Sequence, residues 1–215
     1  MRARLERGDP NWPAQLTVAV VIALNLALPE RVTAGPKWVV PGVALALLVA
    51  LVVIAPSRAS VHLRGVRRFA LTVIGLVSAA SIFSLVLLVH FLINGGRTAG
   101  HQLILAGVVL WITNVLLFAV WYWEMDRGGP AVRFTRPDAL PDFQFTQMEN
   151  PRFAPPGWQP GFVDYLYLSL TNATAFSPTD TLPLTQTAKL VMAMQSVAAL
   201  MTIGLVVARA VNILG

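Results

Sequence analysis

Residues 162–183 read Phe-Val-Asp-Tyr-Leu-Tyr-Leu-Ser-Leu-Thr-Asn-Ala-Thr-Ala-Phe-Ser-Pro-Thr-Asp-Thr-Leu-Pro, and the reading of this stretch decides the fold. Residues 161–175 can form a helix of about four turns at about 1.5 Å per residue, which crosses only part of a hydrocarbon layer about 30 Å thick. The continuation, residues 176–183, holds two prolines together with Ser, Thr and Asp residues, so it cannot run on as a lipid-facing helix. A half-helix that dips into a membrane and returns accommodates both parts. The other reading is a surface linker with an interfacial amphipathic helix.

Outward from this stretch the chain is apolar. Of its 215 residues 56% are hydrophobic and only 12% are charged, which defines an integral membrane protein. A spanning helix needs about 20 apolar residues, and five segments reach that length: 10–29, 38–57, 69–96, 98–123 and 190–208. The first is too long and too weakly basic at its start for a cleaved leader, and is expected to remain as a helix. Span four ends in Trp121-Tyr122-Trp123, rings suited to a membrane interface, and Glu124, Asp126 and Arg127 are expected to mark exit into water. Residues 126–160 hold seven prolines, a Gly128-Gly129 pair, and Phe134, Phe143, Phe145, Phe153 and Trp158. That composition predicts an ordered extramembrane loop.

Several classes are excluded or disfavoured. Cysteine is absent, which removes disulfides, thiolate metal sites and cysteine nucleophiles. The net charge of +6 sits in short loops between spans, where lipid headgroups explain it better than nucleic acid does. No phosphate loop, paired catalytic carboxylates or zinc-protease motif is present, so neither an enzyme nor a cofactor is expected. Arginine outnumbers lysine 14 to 2, a bias that suits a bacterial plasma membrane protein. Asn172-Ala-Thr174 matches a glycosylation sequon and reads as chance inside a buried half-helix. His90 and His101 read as hydrogen-bonded structural residues, with a pH gate as the alternative.

Residues 164–180 resemble, without a gap, the pore helix and filter of the voltage-gated and two-helix potassium channels. Asp164, Tyr167 and Ser169 fit the pore-helix pattern Asp-x-x-Tyr-x-Ser, Thr174 the first of a threonine pair, Asp180 the acidic residue closing the filter, and Pro183 the proline that follows. Lys189 stands where a basic residue precedes the inner helix. The departures fall on the filter: Ala175 replaces a threonine, Phe176 a valine, Ser177 and Thr179 two glycines, and Pro178 a tyrosine. Glycine adopts the required backbone angles cheaply and a β-branched residue does not, while Pro178 drives Ser177 toward extended geometry. A potassium-type stack of carbonyl cages is therefore not expected, and hydroxyls or side-chain oxygens line the narrow point instead.

The five apolar segments and the resemblance together imply an all-α integral membrane protein with five spans, a re-entrant pore helix and a homotetrameric assembly. The resemblance covers the pore module, 98–215, with outer helix 98–123, turret 126–160, pore helix and filter 161–183, and inner helix 190–208, and leaves unexplained the three-helix module, 1–97, which is read from its apolar runs alone. It implies passive conduction of monovalent cations, potassium or sodium, with weak or unusual selectivity. Residues Thr174, Ala175, Phe176, Ser177, Pro178, Thr179 and Asp180 would form the constriction, supported by Asp164, Tyr167 and Ser169; Asp180 reads equally as a ring that concentrates cations at the mouth or as a residue that caps and braces the loop by accepting hydrogen bonds. Partners are then the permeant ion, membrane lipid and the chain itself. The alternative function is a non-conducting scaffold or partner subunit derived from such a channel; a small transporter is disfavoured because the chain has no internal repeat.

Along the inner helix, Gln195 and Thr202 lie seven apart with Ala199 between them, the spacing of either a vestibule lining or a polar stripe packed on a neighbouring helix. Small residues Ala193, Ala198, Ala199 and Gly204 permit close helix crossing. Charge and resemblance disagree on orientation. The side bearing the filter loop carries 12 of the 16 Lys and Arg residues, or 7 against 3 when only the N-terminal tail and short loops are counted. The positive-inside rule turns that side to the cytoplasm, whereas the channel family has its filter outside.

Overall fold

A computed structural model of the chain describes residues 12–29, 33, 36, 38–54, 64–93, 100–136, 138–175 and 180–214. It is mostly helical. The elements in order are α1 (Trp12–Leu26), α2 (Val39–Ile54), α3 (Arg64–Ile93), α4 (Gly100–Met125), a 3-10 turn (Asp126–Gly128), α5 (Pro130–Thr135), β1 (Phe143–Phe145), α6 (Thr146–Glu149), a second 3-10 turn (Pro151–Phe153), α7 (Phe162–Ala175), β2 (Thr181–Pro183) and α8 (Gln186–Leu214).

Among the described residues three helical segments are long and apolar enough to cross a membrane: Arg67–Phe91, Gln102–Gly128 and Gln186–Arg209. Helices α1 and α2 hold 15 and 16 residues, short of the usual spanning length. The expected segments 10–29 and 38–57 continue into residues outside the description. The inner helix starts earlier than the apolar run alone indicates, because Thr185 caps it: the Ala188 N–H donates to Thr185 Oγ1 at 3.2 Å.

Helix α4 is the hub. It packs against α1, α3, α7 and α8, and 56% of its apolar window is buried, against 28% in α3 and 22% in α8. Leu117, Ala119, Val120 and Tyr122 on α4 meet Val18, Val21 and Ile22 on α1, Val73, Ile74 and Val77 on α3, and Phe162, Tyr165 and Leu168 on α7. The outward faces of the long helices stay apolar, with Ile82, Val86, Leu105, Val108, Leu190 and Val197 all exposed. A helix apolar on both faces suits burial in lipid.

The chain leaves α4 through three consecutive left-handed residues, Arg127 (φ 54°), Gly128 (φ 80°) and Gly129 (φ 98°). Glycine is needed at 129, where a Cβ would stand 3.1 Å from the Glu124 carbonyl oxygen and 3.3 Å from Arg67 Nε. The loop ends in the antiparallel pair β1–β2, in register Phe143↔Pro183, Gln144↔Leu182 and Phe145↔Thr181. Two such short strands are not stable alone. Here Phe143 and Phe145 bury their rings, Phe143 at 5.2 Å from Tyr122 and Phe145 at 5.4 Å from Tyr165.

At the other end of the bundle α4 and α8 approach closely at Gly107, where a Cβ would run into the Val206 side chain. Val206 is β-branched and stiff in a helix, so it has little room to yield. Gly107→Val is expected to destabilise by about 1–3 kcal/mol through overpacking. Gly75→Ala, which meets nothing within 4 Å, should be neutral or better. Thermal unfolding of the two variants in one detergent checks the contrast.

Candidate functional site

Helix α7 is two-faced. Phe162, Tyr165, Leu168, Ser169, Asn172 and Ala173 are buried, whereas Val163, Tyr167, Leu170 and Thr174 are exposed at helical spacing on the opposite side. Its first turn is closed by Asp164, whose carboxylate accepts the Gly161 N–H at 2.7 Å. That is half of a capping box, and it places negative charge at the positive end of the helix.

The buried face carries a continuous polar knot. Gln195, fully buried on α8, donates through Nε2 to Ser169 Oγ at 2.7 Å and to the Ser169 carbonyl at 2.9 Å. Its Oε1 accepts from Asn172 Nδ2 at 2.8 Å and from the Tyr122 hydroxyl. Asn172 also donates to the Met192 carbonyl at 3.0 Å, and its Oδ1 accepts from Ser196 Oγ at 3.1 Å. Ser169 Oγ donates to the Val115 carbonyl on α4 at 2.6 Å. Amides and hydroxyls from three helices are thus joined without any charge in the knot, which makes it a mechanical joint.

A second joint lies at the loop end. Asp126, with 0% exposure, accepts the Tyr165 hydroxyl at 2.6 Å on one carboxylate oxygen and the Asp142 N–H at 2.8 Å on the other. Asp142 accepts the Thr185 hydroxyl at 2.7 Å and the Arg127 N–H at 3.0 Å. The two carboxylates therefore tie the end of α4 to the starts of α7 and α8. Burial pushes the Tyr165 phenol above its ordinary range; Arg133 opposes the rise and Asp126 adds to it, so the phenol stays a proton donor. Arg133, 1% exposed, donates to the carbonyls of Trp123 at 2.6 Å and Asp126 at 3.1 Å, with its guanidinium carbon 5.0 Å from the centre of the Tyr165 ring.

These contacts fix both ends of the 162–183 segment. Tyr165 sits at the level of Asp126, while Ala173 packs with Val115 and Ala199. Tyr165 and Ala173 lie eight residues apart, so α7 descends about 12 Å between these two levels, well under half of a hydrocarbon layer about 30 Å thick. Thr146 Oγ1 donates to the Asp180 carbonyl at 3.0 Å, and Thr181 pairs with Phe145, so the chain is back at the loop level by residue 180.

The residues singled out in the sequence are distributed as follows. Asp164 and Ser169 make the contacts just described. Tyr167 is 53% exposed, on the face opposite the knot. Thr174 is exposed, with its hydroxyl donating back to the Leu170 carbonyl at 2.9 Å, and Ala175 ends α7. Phe176, Ser177, Pro178 and Thr179 lie outside the described residues. Asp180 is exposed, at the start of the return strand. Gln195, Ala199 and Thr202 follow the packed-stripe alternative: they are 0%, 0% and 3% exposed, facing other helices of the same chain. Their polar groups are used internally, Thr202 donating to the Ala198 carbonyl at 2.7 Å.

Glu124 and Asp126 correct the expected exit into water, being 8% and 0% exposed. Arg67 folds over this end, its Nη2 donating to the Glu124 carbonyl at 3.2 Å. His90 is exposed at the end of α3 with its ring edge-on to Phe91, and the side chain of His101 lies outside the description. Sequence reasoning missed Tyr122, Asp126, Arg133, Asp142, Tyr165 and Asn172. One signal was present: Tyr165, Ser169 and Asn172 are polar at i, i+4 and i+7 on one helical face. Among the described residues no cluster of three or more His, Asp or Glu side chains could hold a metal ion.

No family model, no curated protein and no solved structure matches this chain.

If the knot is one cooperative unit, Asn172→Leu and Gln195→Leu should each destabilise by about 1–3 kcal/mol by stranding buried partners. The double variant should lose at least about 0.5 kcal/mol less than the sum. Unfolding midpoints of the four proteins in detergent measure the coupling; strict additivity would show that the two amides act separately.

Proposed function

We propose that the chain is a pore-loop channel conducting monovalent cations passively, assembled as a homotetramer of five-span protomers in a bacterial plasma membrane. The observation that carries the reading is the placement of α7 and β2: α7 runs from the level of Asp126 to that of Val115 beside two membrane-length helices, and Asp180 and Thr181 are bonded at the loop level again. Between Ala175 and Asp180 there are five Cα–Cα steps, which reach at most about 18 Å. Irregular backbone at such a depth requires burial in protein or a water-filled cavity. Four copies around an axis supply both.

The exposed face of α7, with Val163, Tyr167, Leu170 and Thr174, is the surface a neighbouring copy would cover. With Gln195, Ala199 and Thr202 occupied in packing, the constriction is assigned to residues 174–180 alone. The resemblance of residues 164–180 to potassium-channel pores supports the same reading. The Ser177-Pro178-Thr179 replacement argues against ordered carbonyl sites for potassium. A ring of Asp180 carboxylates favours cations over anions by raising their local concentration.

In mild detergent, native mass spectra should give a tetramer, and liposomes containing the purified protein should pass potassium and sodium at comparable rates. Asp180→Asn should lower the flux several-fold at about 10 mM salt and little at about 1 M, where screening is strongest. Absence of flux from a confirmed tetramer would select the non-conducting scaffold instead, and monomer alone would sink the pore reading.

Orientation has a separate check. The filter is placed on the outer face, against the charge count, so Ser57→Cys should react with an impermeant thiol reagent from outside and Thr98→Cys from inside. The absence of native cysteine keeps the background clean. Labelling of Ser57→Cys only from the cytoplasm would invert the assignment.

A further inference from the structure

Four large apolar side chains stand outward from the loop layer, residues 138–160 and 180–184: Leu140 at 88% exposure, Phe153 at 73%, Leu182 at 56% and Leu184 at 43%. One such residue needs no explanation, since every protein surface carries some. What four of them mean depends on their depth, and the rings behind them fix that depth.

The apolar stretch Gln102–Gly128 holds 27 residues and is about 40 Å long, whereas the hydrocarbon is about 30 Å thick and the bilayer with its headgroups about 40–45 Å. The end of the stretch therefore lies among headgroups. Tyr122, six residues inside that end, lies about 9 Å lower, at the boundary with hydrocarbon. The loop layer is fastened at this level. Phe143 meets Tyr122 with ring centres 5.2 Å apart, and Phe145 lies between Tyr165 at 5.4 Å and Trp158 at 6.2 Å. Such a belt of Trp and Tyr rings is what a membrane interface collects.

Phe143 and Phe145 point inward, so by strand alternation Gln144 and its partner Leu182 point away from the bundle. Leu184 follows two residues on, and Leu190, Met194, Val197 and Met201 carry an exposed stripe onward at helical spacing along α8. The outward side of the strand is thus the upper edge of the apolar surface that the long helices offer to lipid. Charge decides which lipid. Among the described residues 129–189 the exposed charged side chains are Arg136, Arg152 and Lys189 against Asp138, Glu149 and Asp180. With the two signs balanced, no headgroup charge is favoured, and burial of apolar side chains supplies the attraction.

We propose that the loop layer is embedded in the headgroup layer of the surrounding bilayer, with Leu140, Phe153, Leu182 and Leu184 inserted at the boundary with the acyl chains. The occupant of this surface is phospholipid, taken without preference for anionic headgroups. The layer is then no turret standing clear of the membrane. The proposal does not rest on the pore reading, because a channel and a non-conducting scaffold hold the layer at the same depth.

The test uses the full chain in phosphatidylcholine nanodiscs, and the absence of native cysteine lets one nitroxide be placed at a time. Spin labels on Leu140→Cys, Phe153→Cys, Leu182→Cys and Leu184→Cys should collide with oxygen, which concentrates among acyl chains, in preference to a water-soluble nickel chelate. The ratio should be several-fold above that of Glu149→Cys and close to that of Leu190→Cys on the face of α8. Replacing half of the lipid by phosphatidylglycerol should leave the ratios unchanged. Nickel access equal to that at Glu149→Cys would show a layer standing in water, exclusion of both reagents would show that another copy or a protein partner covers it, and ratios that rise with phosphatidylglycerol would show selection by headgroup charge. Each of these outcomes overturns the proposal. All four side chains point outward, so the variants are expected to fold, and Phe153 and Leu182 each give the answer alone if another variant fails.

Discussion

The Gln195 carboxamide, bonded at once to Ser169, Asn172 and Tyr122, is the interaction on which the arrangement of the second half of the chain depends. A helix of 14 residues cannot hold a place among membrane helices by apolar contact, because lipid competes equally well for an apolar face. It needs partners that lipid cannot offer. Ser169 and Asn172 present side-chain hydroxyl and amide groups from α7, and Gln195, Tyr122 and the Val115 carbonyl answer from the two long helices. Breaking any one contact strands a buried polar group, so the knot fixes depth and rotation together.

The carboxylate pair Asp126 and Asp142 performs the complementary task at the loop end. One holds the start of α7 through Tyr165, the other holds the start of α8 through Thr185. Two anchors about three helical turns apart along α4 define a line, and α7 lies along it. The strand pair β1–β2 then returns the chain to the anchor level, with the Phe143 and Phe145 rings packed edge-on against Tyr122 and Tyr165. Arg133 braces this end through Nη1, which donates to both the Trp123 and the Asp126 carbonyl where the helix ends.

The internal bonds also divide α8 into two functional faces. One side, Gln195, Ala199 and Thr202, belongs to the chain's own interior. The other side is apolar and outward, available to lipid or to another copy. The seven-residue spacing of Gln195 and Thr202 marked a special face correctly but could not say what it faces, since the period of a helix is the same whether its polar stripe meets water or a neighbouring amide. Tyr167 illustrates the converse: two positions from Tyr165 it points to the opposite side, and only the rotation set by the knot decides which tyrosine is buried.

By itself the sequence determined that the chain is mostly helical with three helices long and apolar enough to cross a membrane among the five segments expected, and it marked the short helix ending at Ala175 and the proline-bearing composition after it. All of these follow from local composition and from length measured against the hydrocarbon thickness. It noted the Gly128-Gly129 pair as loop composition, while the positive φ of both residues and the close approach of Gly129 to the Glu124 carbonyl belong to the structure. What only the tertiary structure decided is partnership: that Asp126 is buried under Tyr165 instead of wetted, that Asn172 is a structural amide and no sugar acceptor, and that residues 143–145 pair with 181–183. These contacts join residues twenty to seventy positions apart. Their energy depends on which groups are brought together and stripped of water, and neither property is written in the local pattern of any one segment.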